Sequence, residues 1–216
     1  MSTRFSYNDK ITVAVITGGH DFDVPGFHEI FRAMPEVDSY IQHQDNFIED
    51  VANVRDEYDV LLFYNMPRGE PDSRAQAAFE NLGESGQGIF LLHHAILAYL
   101  PWSLWGEMVG IPDRSFGFSM MQDIPIDVAD SDHPITNGIA SWQMVDETYS
   151  MASAGDDSRI LLTTDHPDSM NVLGWTRQFR NSRVFCLQSG HDNVTYVDPN
   201  FRKILNRGIQ WCAGRI

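Results

Sequence analysis

Uninterrupted apolar runs constrain the fold of this chain more than any other feature. Ile11–Ile16 reads ITVAVI, Val60–Tyr64 reads VLLFY, Ile89–Leu92 reads IFLL, and the centre of Arg183–Gln188 reads VFCL. A strand with one wet face alternates apolar and polar residues. A run that is apolar at nearly every position belongs to a strand covered on both faces. Helix-period segments lie between these runs. Phe27, Ile30, Phe31 and Met34 stand at i, i+3, i+4 and i+7. Ala75, Ala78, Phe79 and Leu82 line a second helix face, and Phe201, Ile204, Leu205 and Cys212 a third. Strands alternating with helices over 216 residues predict a single α/β domain, residues 1–216, with a mostly parallel sheet between helix layers.

The punctuation agrees. Gly18-Gly19 breaks the first strand and Pro35 helps end the first helix. Tyr40–His43 is a weaker strand. Pro71 is expected at a first helical position, and Asp198-Pro199 as cap and first residue of the last helix. Residues Pro101 to Gly117 are rich in Trp, Pro, Gly and Met and predict short helices and loops. Asp123–Val128 and Thr148–Ala152 read as extended, and Arg159–Thr164 and Val172–Thr176 as further strands.

Composition narrows the partners. Apolar residues make up 43 % of the chain, enough for a sizeable core. Thirty acidic and 15 basic residues give a net charge of −15, which repels phosphate backbones and anionic lipid. Nucleic acid and membrane surfaces are therefore not expected partners. A neutral sugar is compatible with this charge. Cys186 and Cys212 read as small buried hydrophobes rather than a disulfide framework. Met1 to Lys10 is polar and lacks an apolar signal core, so a cytoplasmic location is the default expectation.

Parallel sheets place their ligand sites at the carboxyl ends of the strands. The first strand ends in Thr17-Gly18-Gly19-His20-Asp21, the third in Tyr64-Asn65, the fourth in His93-His94, and Arg183–Gln188 in Ser189-Gly190-His191-Asp192. Independent strands thus deliver His20, His94 and His191 to one rim, and histidine suits proton transfer near neutral pH or metal ligation. His43, His133 and His166 read as structural; the latter two precede proline in turns. His93-His94 stands where a nucleophile elbow would stand, but without Ser or Cys. Gly18-Gly19 lacks the spacing of a dinucleotide fingerprint and reads as a tight turn. A divalent metal on three histidines and a carboxylate ranks below a metal-free acid/base site, because no short-range ligand spacing supports it.

These residues give the chain a resemblance to the trehalose-utilisation (ThuA-like) family. The similar pieces run in family order: Thr17-Gly18-Gly19-His20, Pro25-Gly26-Phe27-His28, Gly88 to Ala95, His133 to Gly138, Asp146-Glu147-Thr148-Tyr149, Gly190-His191-Asp192, and Arg207 to Trp211. The resemblance implies a flavodoxin-like three-layer α/β sandwich of the class I glutamine-amidotransferase-like superfamily. There, an elbow Cys and a downstream His hydrolyse glutamine. With His93-His94 at the elbow, glutaminase activity is not expected here. Family membership further implies utilisation of trehalose or related sugars, alongside oxidoreductases that make keto-sugars. Met66-Pro67-Arg68 departs from the pattern where an acidic residue is expected.

Three functions follow as expectations. The first is an enzyme acting on a sugar or keto-sugar, with His94, Glu147 and His191 catalytic and His20, His93, Tyr149 and Asp192 binding substrate. Trp102, Trp105 and Phe116 would wall the sugar ring or else pack the irregular segment. The second is a non-catalytic sugar-binding or regulatory module using the same rim. The third is a metal-dependent hydrolase. The residues leave any cofactor undetermined, and assembly into a homo-oligomer is left open.

Overall fold

A computed structural model describes residues 9–51 and 53–216. Most of the polar segment from Met1 to Lys10 lies outside them. The apolar runs become β1 (Ile11–Gly18), β3 (Val60–Asn65), β4 (Gly88–Leu92) and β9 (Ser182–Leu187). With β2 (Val37–His43) they form five adjacent parallel strands in the order β2-β1-β3-β4-β9. The sheet continues antiparallel through β8 (Val172–Phe179), β7 (Arg159–Thr163), β5 (Gly117–Val128) and β6 (Trp142–Ser150), nine strands among the described residues.

Helices cover both faces. α1 (Val24–Arg32) and α6 (Pro199–Cys212) bury Phe27, Phe31, Phe201 and Ile204 against Val13, Val15, Phe90 and Phe185. On the other face, α2 (Gln44–Glu49), α3 (Ser73–Phe79) and α4 (Ser103–Val109) bring Phe47, Phe79 and Trp105 against Phe63 and Leu91. Each fully buried side chain of this size contributes roughly 1.5–3 kcal/mol. This is the expected three-layer sandwich.

Local corrections are few. Asp72, not Pro71, marks the start of α3: its side chain accepts from the backbone of Arg74 and Ala75, and Pro71 lies just outside. Asp198 does cap α6, accepting from Phe201 N at 2.7 Å. The short α2 and α5 (Asn193–Tyr196) were not expected. The strand expected at Thr148–Ala152 is longer and earlier, so Glu147 lies inside β6.

The irregular middle is organised by a buried cation. Arg114 donates to the carbonyls of Ile96, Ala98, Tyr99, Leu100 and Trp102. Burial lowers its guanidinium to about 10. A planar fork of donors is suited to gathering several carbonyls that no strand or helix satisfies.

Candidate active site

The carboxyl ends of β1, β3, β4 and β9 meet at one rim. The β5–β6 hairpin folds over that rim, because Gln188, just beyond β9, donates to the Glu147 carbonyl at 2.8 Å. Asp146 completes the attachment. Its carboxylate accepts from Gly190 N at 2.7 Å, His191 N at 3.1 Å and Glu147 N at 2.8 Å. Burial raises the Asp146 carboxyl, against the opposing pull of His93 and these three N–H groups. Gly190 turns the chain at φ +125, where a Cβ would press on Phe201 and Leu92. Gly19 turns at φ +79, with no room for a Cβ beside the Met66 carbonyl.

His93 occupies the turn between β4 and the following helical segment in the left-handed region, at φ +51. That conformation is costly for a residue with a side chain and recurs at functional turns. Its Nδ1 lies 2.6 Å from the Gln188 carbonyl, which only accepts, so Nδ1 carries a proton. Its Nε2 lies 3.1 Å from Glu147 Oε2 and 2.8 Å from the Tyr149 hydroxyl. Glu147 Oε2 is also 4.0 Å from His191 Nε2. Burial alone would raise the Glu147 carboxyl. The hydrogen bond and field of His93, with the field of His191, outweigh it and bring the group below its ordinary value. Burial, reinforced by Glu147, holds the Tyr149 hydroxyl far above its usual range.

His94 is buried between Tyr64, at 4.2 Å between ring centres, and His20, stacked at 4.6 Å. Its Nε2–H donates to the Tyr64 carbonyl at 3.1 Å, and its Nδ1 has no partner. Burial first, then the fields of His93 and His20, keep it neutral far below the usual histidine range. His20 also approaches His191, at 5.9 Å between ring centres.

A cavity of about 310 Å³ opens onto this cluster, and His20, Glu147, Tyr149 and His191 line it. The other expected site residues stand differently. His93 and His94 are buried behind the cavity wall. Asp192 caps α5 through Oδ1, accepting from Val194 N at 2.9 Å, and its Oδ2 is 3.6 Å from His191 Nδ1. Of the expected aromatic wall only Phe116 lines the cavity. Trp105 is fully buried with its Nε1 on the Ala95 carbonyl, and Trp102 packs on Trp105 and Tyr99. His43, His133 and His166 each accept a backbone N–H two residues on, from Asp45, Ile135 and Asp168, which is a turn-forming role. Cys186 and Cys212 are free and buried, and burial drives both thiols above their usual range.

The model of the trehalose-utilisation family, ThuA, matches residues 13–212. The chain belongs to the ThuA family. A ThuA-like protein from Parabacteroides merdae has the same fold, with a TM-score of 0.75 at 19 % identity, over 96 % of this chain and 91 % of that one. A cytoplasmic protein of Salmonella typhimurium matches with a TM-score of 0.66 at 13 % identity, over 93 % and 98 % of the two chains. A glutamine amidotransferase from Thermotoga maritima matches with a TM-score of 0.53 at 10 % identity, over 93 % and 98 %. No curated protein matches the sequence. In this ThuA-family chain the turn after β4 is occupied by His93. Asp146, Gln188 and Met66 were missed as site residues. Their signal is positional: Gln188 and Met66 lie at or just past strand ends, and Asp146 adjoins Glu147.

Proposed function

We propose that this ThuA-family chain is an enzyme that moves protons on a sugar or keto-sugar, with Glu147 as base and His191 as its complementary acid. One observation carries the reading: Glu147 Oε2 lies at the cavity between His93 Nε2 at 3.1 Å and His191 Nε2 at 4.0 Å. A carboxylate kept ionised beside a second titratable group is the arrangement acid/base catalysis needs. On a keto-sugar, Glu147 takes the proton from the carbon beside the carbonyl. The C–H pair forms the new C=C bond, the C=O π pair moves to oxygen, and His191 supplies that oxygen with a proton. His93 acts as a positioning residue, holding Glu147 ionised, and Tyr149 and His20 orient hydroxyls. No thiol stands at the elbow, so glutamine hydrolysis is not part of this reading.

The ligand is a small carbohydrate, in keeping with the family and with an acidic surface unsuited to nucleic acid or anionic lipid. Among the described residues no helix is long and apolar enough to cross a membrane. With the Salmonella neighbour named as a cytoplasmic protein, this supports a cytoplasmic location.

The test is proton exchange in D₂O followed by NMR, over a panel of glycosides and 3-keto-glycosides. Deuterium entering beside the carbonyl at a rate above buffer is the expected result. Saturable binding of the panel without exchange or turnover favours a binding module instead.

A second reading has its own observation. His93 Nδ1 is protonated, so Nε2 presents a lone pair to the Glu147 carboxylate unless a proton or a cation lies between them. One ligand atom from each of His93, Glu147 and His191 lies within 4.8 Å of the others. Two histidines and a glutamate suit a divalent ion such as zinc, and the Gln188 carbonyl would orient His93 from behind. Stoichiometric metal in the purified protein, removed together with activity by a chelator, supports a metal-dependent hydrolase and sinks the metal-free reading.

A further inference from the structure

The cavity at Glu147 has two chemically different ends. Glu147, His191 and His20 form the polar end, Arg68 adds one cation to the lining, and Met66, Phe116, Phe118 and Met120 supply an apolar lip. Tyr149 divides them. Its ring stacks on His93 at 5.1 Å and meets Phe116 edge-on at 5.7 Å. Phe118 pairs directly across the hairpin from Tyr149. The outer part of the lip is exposed, Phe118 keeping 62 % and Met120 45 % of its surface in water, while Phe116 is half-buried and Met66 buried.

The backbone is bent to place these side chains. Ser119 pairs with Thr148 and Gln122 with Asp146, so Met120 and Met121 together oppose the single residue Glu147. This is a bulge, and Met121 sits in it at φ +53. Bulges re-aim side chains beside sites, and left-handed backbone at a non-glycine residue needs a reason beyond strand pairing. Here the bulge aims Met120 into the cavity that holds Glu147. A sugar ring can lay one C–H face on a single aromatic ring such as Phe116, but its hydroxyls find no hydrogen-bond partner on a thioether and two phenyl rings. An aromatic or hydrocarbon group gains from both.

We infer that the lip formed by Phe116, Phe118 and Met120 is a subsite for an apolar aglycone, so that the preferred substrates are glycosides of aromatic or hydrocarbon alcohols rather than of a second sugar. This rests on the reading of the polar end as a sugar site. The occupant is part of the same small molecule because lip and polar end share one cavity. Its volume of about 310 Å³ suits one small ligand and is too confined for a protein segment.

The test is calorimetric binding of methyl and phenyl glucosides, their 3-keto forms, and trehalose, to the wild type and to a Phe118→Ala, Met120→Ala variant. Both side chains are exposed, so the variant is expected to fold. Phenyl glycosides should bind about tenfold or more tightly than methyl glycosides, and the variant should lose that preference while methyl glycoside affinity holds. Equal affinity for methyl and phenyl forms overturns the subsite and leaves the sugar reading standing. Binding of none of the glycosides overturns the sugar reading and the subsite with it. A dimer in sedimentation that Phe118→Ala dissociates assigns the lip to a second copy of the chain and also overturns the proposal.

Discussion

His93 Nε2 lies 3.1 Å from Glu147 Oε2, while its other ring nitrogen is held 2.6 Å from the Gln188 carbonyl. A residue of the turn after β4 and a residue of the overlying hairpin thus lie in hydrogen-bonding contact, fixed from behind by a strand-end carbonyl. His93→Asn tests what that contact does. Asparagine tolerates the left-handed backbone that His93 adopts, so the turn should survive. The variant removes the group that most strongly lowers Glu147. Glu147 should then titrate at higher pH, and the acid limb of the kcat/KM profile should move up. An unmoved acid limb would mean that His93 does not govern the base.

Glu147→Gln keeps size and most hydrogen bonding but removes the base. Turnover should fall by roughly 10²-fold or more, the usual contribution of a positioned acid or base. The melting temperature at neutral pH should change by only a few degrees. Glu147 is below its ordinary value in the folded state, so its stabilising share is present above that ordinary value and is lost as pH falls through the folded one. Unchanged turnover would remove Glu147 from the reaction.

The parallel half of the sheet was legible because strands buried on both faces write themselves as apolar runs, as in Val60–Tyr64 and Ile89–Leu92. The rim histidines were legible for the same reason: a polar residue just past such a run must point to the sheet edge. The assignment of His94 as catalytic and His93 as substrate-binding reads differently in the structure. Both are buried, and only the turn geometry, invisible in the letters HH, sends His93 to Glu147 and His94 behind Tyr64. Asp146 and Arg114 were illegible as organisers. Their partners are backbone groups distant along the chain, 44 residues away for Asp146 and Gly190, and backbone groups leave no signature in side-chain identity.

Asp146→Asn should separate placement from chemistry. An amide oxygen can replace one carboxylate oxygen, but its NH₂ would then face the Gly190 N–H, donor against donor. Losing a buried hydrogen bond to a charged acceptor costs about 1.5–3 kcal/mol. At this chain length, that corresponds to a fall of roughly 3–12 °C in melting temperature. His191 shares the same carboxylate through its backbone, so turnover should fall as well. A variant as stable as wild type would show that the loop holding His191 does not depend on Asp146.

His94 gives a pH-dependent stability with a definite sign. In the unfolded chain its imidazole takes a proton as pH falls through about 6.5. In the folded chain, burial and the fields of His93 and His20 hold it neutral to far lower pH. Below about pH 6.5 the unfolded state therefore binds more protons, and stability falls as the solution is acidified; above that range the full contribution is present. His133, lowered to about 4 chiefly by burial, acts in the same direction, so removing His94 should reduce the slope without abolishing it. His94→Phe keeps a ring between Tyr64 and His20 but cannot titrate. Its absolute melting temperature should drop, because the Tyr64 carbonyl loses a donor. Between pH 6.5 and pH 4.5 its melting temperature should nonetheless decline less steeply than that of wild type. Equal slopes for the two proteins would mean that His94 already carries a proton in the folded state.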